Sequence, residues 1–109
     1  MDDAQIAHTE SAFREVNEAI AKNAYRFEPS AVDFVCECAD PHCTHRVAAD
    51  LQEYEEVRAD ATHFLLAPGH DQPQVEKVVD RGSRHVVVEK FGTTIERIVR
   101  RLNPRTRPA

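Results

Sequence analysis

Three cysteines fall within eight positions, Cys36, Cys38 and Cys43, and the chain has no others. A disulfide framework wants an even number spread along the chain, whereas clustered thiols read first as ligands for a soft cation. Zn2+ takes four such ligands in a tetrahedron, with Zn–S near 2.3 Å. In extended backbone, residues i and i+2 project to the same face, so Cys36 and Cys38 can meet on one ion. Asp40-Pro41 then marks a turn, because proline fixes its own φ and keeps the preceding residue out of the helical region. That turn can return Cys43 to the other two. Glu37 lies between two ligands, but strand alternation aims it away from both sulfurs. The cysteines read as small buried hydrophobes, or as a catalytic thiol, lack a supporting motif.

The fourth position falls to a histidine. His45 makes a local symmetry, C-x-C on one arm and C-x-H on the other. His70 follows Pro68-Gly69, and glycine permits a backbone path tight enough to bring an imidazole to the ion. The residues alone leave both open. His42 sits in the turn and is expected to face solvent, while His63 and His85 lie in strand-like runs.

A chain of 109 residues is the size of one domain. Its core is lean, with no Trp, one Met and only 6% aromatic residues, so a metal staple is of use to it. No apolar run approaches the roughly 18 residues needed to cross a bilayer. The opening ten residues carry two aspartates instead of the basic-then-apolar layout of a signal peptide. The expected location is the cytoplasm, with no membrane partner. A formal charge of −5 argues against nucleic-acid binding by the whole surface. The C-terminal stretch differs: from Lys90 onward, six basic residues stand against Glu96 alone.

Periodicity places a first helix over 11–22, with Phe13, Val16 and Ile20 on its buried face. Strand-like residues 31–37 run into the cysteines, and an extended piece over 44–48 returns as a hairpin. Asp50 with Glu53 makes a capping box for a helix that turns Leu51, Tyr54 and Val57 inward. Residues 63–67 and 84–90 read as strands. Between them, Pro73 at a first turn, then Val75, Val78 and Val79, then Gly82 as a stop, predict a helix. After Gly92, Thr93 and Glu96 form a second capping box, opening a helix with Ile95, Ile98, Val99 and Leu102 inward. The expected fold is α+β: a small antiparallel sheet with packed helices and a zinc site at a strand–turn edge. One domain spans 11–102, with a flexible tail over 1–10 and a basic flexible tail over 103–109.

Phe34-Val35-Cys36-Glu37-Cys38, Cys43-Thr44, Glu53-Tyr54-Glu55, Val57-Arg58, Pro68-Gly69-His70 and Val86-Val87-Val88-Glu89-Lys90 together resemble a family of small bacterial proteins, mainly actinobacterial. The resemblance covers roughly residues 13–90 and brings no activity with it. In that family the Pro-Gly-His element accompanies the cysteines, and the position of His45 is usually not histidine. The resemblance therefore implies Cys36, Cys38, Cys43 and His70 as the ligand set, with His45 the alternative fourth ligand.

A site of three thiolates and one imidazole is electron-rich and closed, which makes a poor Lewis acid. The chain also lacks a nucleotide-binding glycine loop and the zinc-deaminase signature. The expected function is a non-enzymatic zinc-binding regulator or adaptor acting through contacts with another protein. One alternative is a nucleic-acid-associated regulator using Arg97, Arg100, Arg101, Arg105 and Arg107 against phosphates. A second is a redox sensor whose zinc thiolates oxidise.

Overall fold

A computed structural model describes residues 1–27 and 30–106; Pro29 and Arg107 lie outside them. Three helices pack on two antiparallel sheets, in the order α1 (Asp3–Ala24), β1 (Val32–Val35), β2 (Arg46–Ala49), α2 (Leu51–Arg58), β3 (His63–Leu66), β4 (Glu76–Arg81), β5 (Val86–Lys90) and α3 (Thr93–Arg101). A short 3-10 turn, Pro104–Thr106, follows. The fold is α+β, with the cysteines in the loop that closes the β1–β2 hairpin.

In that hairpin Phe34 faces Val47 and Val32 faces Ala49, four buried side chains alternating with outward Asp33 and Ala48. Phe34 stacks on Tyr54 of α2 at 4.5 Å between ring centroids. The second sheet runs β3-β5-β4. Its central strand buries Val86, Val87 and Val88 together, as a strand covered on both faces does. Each such side chain contributes about 1.5–3 kcal/mol by leaving water. β3 is an edge strand in this sheet, yet Phe64, Leu65 and Leu66 are all buried. Glu37 covers that edge: its N–H donates to Leu65 O at 2.8 Å, and its Oε1 accepts from Leu65 N at 2.9 Å. One residue between two cysteines thus joins the two sheets.

Several expectations are corrected. Residues 1–10 are not a tail. Asp2 and Gln5 close a capping box, α1 starts at Asp3, and Ile6, Ala7 and Glu10 are buried. The buried face of α1 is not the Phe13–Val16–Ile20 stripe either; Val16 is 46% exposed. Polar side chains go inward instead. Arg14 donates to the carbonyls of Ala61 and Val99 and lies 4.7 Å over the Phe64 ring. Asn17 exchanges hydrogen bonds with the Val35 backbone and donates to Glu37 Oε2 at 2.7 Å. These polar groups satisfy backbone at strand ends and helix ends, which apolar side chains cannot do.

The predicted helix after Pro73 is β4. A β-bulge between Val78 and Asp80 leaves Val79 unpaired, so the valines fall at a spacing that mimics a helix face. Gly82 is not a helix stop. It sits where the chain returns into β5, and a Cβ there would come within 2.1–2.6 Å of the His85 ring. Finally, Gly92 rather than Thr93 is the N-cap of α3, at φ 105°, and no side chain caps that helix.

The C-terminal stretch is also anchored. Arg105, placed in the expected flexible tail, reaches Glu18 of α1 at 2.8 Å and also pairs with Glu55 of α2. No helix among the described residues is long and apolar enough to cross a membrane.

Candidate metal centre

Each donor is delivered by a different local device. The hairpin extends one step past Val35, with Cys36 N–H bonded to His45 O at 3.1 Å. The chain then leaves the sheet, and Cys36 and Cys38, two residues apart, are both buried. At Asp40-Pro41 the backbone turns as expected: Cys43 N–H donates to Asp40 O, and His42 N–H to the Asp40 carboxylate. His70 follows β3 across Pro68-Gly69, where Gly69 adopts φ 84° and His70 N–H closes back on Ala67 O. A side chain at that φ is strained, so the turn requires glycine.

These devices bring Cys36, Cys38, Cys43 and His70 together, with all four donor atoms within 4.8 Å of one another. His70 presents Nδ1, which lies 3.6 Å from Cys36 Sγ and 3.7 Å from Cys43 Sγ. A tetrahedron with Zn–S of about 2.3 Å and Zn–N of about 2.05 Å has N···S edges of about 3.6 Å. The spacing is therefore that of ligands around one small ion. Cys36 and Cys38 form the buried side, while Cys43 and His70 are half-buried.

His45 is adjacent but does not join the cluster. Its ring meets His70 edge-on at 4.4 Å between centroids and is exposed. Its backbone has the larger part, because the His45 N–H is bonded to the Cys43 sulfur. Asp40 N–H does the same for Cys38, and Ala67 N–H donates to Cys36 Sγ at 3.2 Å. Each sulfur thus accepts one backbone N–H. Two of these donors stand two residues after the cysteine they serve, which follows from the chain curling around the sulfur. Such bonds disperse thiolate charge and hold each sulfur in place.

The thiols are electrostatically unequal. The hydrogen bond between Cys36 and Cys38 lowers the Cys38 thiol's pKa below that of a free thiol. The same bond, together with burial, pushes Cys36 up, and burial raises Cys43. Three sulfurs this close cannot all ionise unaided; a cation among them removes that conflict.

Glu37 is not a donor here. Its carboxylate is fully buried, held by Asn17 and the Leu65 N–H, and burial raises its pKa against the opposing pull of Arg58. It is fully buried in the core. His63 instead bonds Glu89 at 3.0 Å, and His85 packs against Gly82. His42 is exposed in the turn, and His8 is on α1. The arginines of α3 are spread on its outer side: Arg97, Arg100 and Arg101 are exposed, and Arg100 lies 3.8 Å from Glu96. The site as a whole is a Cys3His cluster suited to a metal ion. Neither models of known families, nor curated proteins, nor solved structures gave a match to this chain.

Proposed function

We propose that the chain is a zinc-binding, non-enzymatic regulator or adaptor, in which zinc fixes the loops at one end of the fold for contact with another protein. The observation that carries the metal assignment is the 3.6–3.7 Å spacing of His70 Nδ1 from two cysteine sulfurs within a four-donor cluster. Three sulfurs and one imidazole nitrogen are soft donors, which favour zinc over magnesium or calcium. A full set of four protein ligands is that of a structural rather than a catalytic zinc. Glu37, which lies between two of the ligands in sequence, is committed to Asn17 and Leu65 and supplies no general base. The resemblance to the bacterial family supports the same ligand set. Nucleic-acid binding draws less support, since Arg105 is already engaged by Glu18 and Glu55.

The test is a comparison of the intact protein and its Cys38→Ser variant, each used to enrich partners from the cells that make it. A partner recovered stoichiometrically with the wild type and lost with the zinc-free variant supports the reading. Equal recovery of background proteins by both contradicts it.

A further inference from the structure

Away from the cysteines, α2 and the β4–β5 hairpin enclose a cavity of about 410 Å³. Its apolar wall is Val57, Val79 and Val87. Val79 is there because the β-bulge leaves it outside the ladder, 41% exposed, beside Asp80. Bulges re-aim side chains in this way, and an exposed valine in a lean core has no packing role to explain it. Glu53, Glu56 and Asp80 supply the charge of the lining, against Arg81. Glu53 gives one carboxylate oxygen to the Asp50 N–H at 2.9 Å, while Glu56 is exposed. His63 at the edge is already bonded to Glu89.

The lining also contains His85, only 5% exposed. Its Nδ1 has no hydrogen-bond partner among the described residues. His85 is held at this spot, since its ring lies against Gly82 where even a Cβ has no room. An apolar wall rimmed by several carboxylates matches a long apolar stem that ends in many N–H donors. Arginine has that shape: its methylenes cover valines while a planar fork of five N–H donors meets several acceptors. A lysine ammonium offers three donors at one point and uses such a lining less fully.

We infer that this groove is the docking site for an arginine side chain presented by a basic segment of a partner protein. The placement rests on the protein-contact reading above and is independent of the metal site's geometry. Zinc-loaded full-length protein, isotope-labelled, is titrated with a short Gly/Ser peptide carrying two arginines, with its two-lysine counterpart and with spermidine, and followed by amide chemical shifts. The expected result is binding of the arginine peptide with a Kd of about 1 mM or tighter, with shifts confined to residues 53–57 and 79–87. Added salt weakens it. Glu53→Gln with Glu56→Gln weakens it about tenfold, Gln keeping the capping contact. Absence of shifts, shifts elsewhere, or unchanged affinity in the Glu53→Gln, Glu56→Gln variant overturns the inference. Lysine peptide or spermidine binding as tightly as the arginine peptide overturns the choice of occupant. Peptide binding that fails while partner recovery succeeds overturns the groove alone and leaves the adaptor reading standing.

Discussion

The molecule holds two clusters of polar groups that burial makes expensive, and it resolves them differently. At the hairpin end, three sulfurs and an imidazole converge with no protein cation among them. Between α1 and the second sheet, Glu10, Glu76 and Lys90 are all buried, and the ammonium comes from the chain itself. Lys90 Nζ lies 2.6 Å from Glu10 Oε1 and also contacts Glu76, whose other oxygen accepts from Gln72 N–H. The second Glu10 oxygen has no partner among the described residues. Two carboxylates cannot both remain charged around one ammonium out of water, and burial raises Glu10 to about 8. The lesson is one of neutralisation. The carboxylates share a lysine and a proton, whereas the sulfurs need an ion from outside.

This difference predicts how each cluster breaks. The largest effect follows loss of a metal ligand. Cys36→Ser is expected to abolish stoichiometric metal and lower Tm by roughly 10 °C or more, since metal binding energy is folding energy. Elemental analysis with thermal melts checks both. Next is Lys90→Met, which leaves two buried carboxylates unpaired and costs about 3–5 kcal/mol by urea titration. Replacing Glu10, Glu76 and Lys90 together by Met or Leu is expected to recover most of that loss. Recovery marks the cluster as an ion set, whereas a loss equal to that of Lys90→Met alone marks simple packing.

The two clusters also respond oppositely to pH. Glu10 has a folded pKa above its ordinary 4.5, so its contribution is fully present below about 4.5 and lost as pH rises to about 8. Glu10→Gln should flatten that fall in urea melts across the window. Metal affinity runs the other way, rising with pH as thiol protons leave. The smallest effect is at the surface. Arg105→Ala should cost about 1 kcal/mol or less, as its pairs with Glu18 and Glu55 are solvent-screened, its side chain being 33% exposed.

The same contrast explains what the sequence makes legible. The cysteines announce themselves because three ligands lie within eight positions and the turn between them carries its own signal. The capping box of α2 and the valines of β5 are local in the same sense. Glu10, Glu76 and Lys90 are distant along the chain, and no local pattern links them. α1 hides its role because it buries Glu10, Arg14 and Asn17 beside Ile6, Ala7 and Ala21, while Val16 faces out, so apolar residues alone do not mark the buried face. Its start was nonetheless marked by Asp2 and Gln5, a capping box in residues read as a tail. β4 was hidden by its own bulge, which turns a period of two into valines three and four apart. The choice between His45 and His70 was beyond local symmetry. It is decided by Gly69, whose positive φ turns His70 toward the sulfurs, and by the His45 amide, which is used on Cys43.

The central claim is that one ion is held by Cys36, Cys38, Cys43 and His70. Elemental analysis of wild type, His70→Ala and His45→Ala, each purified under reducing conditions without added metal, tests it most directly. About one equivalent of zinc in the wild type and in His45→Ala, with loss or marked weakening in His70→Ala, is the predicted result. Loss in His45→Ala with retention in His70→Ala, or metal-free wild-type protein with its thiols reduced, contradicts it.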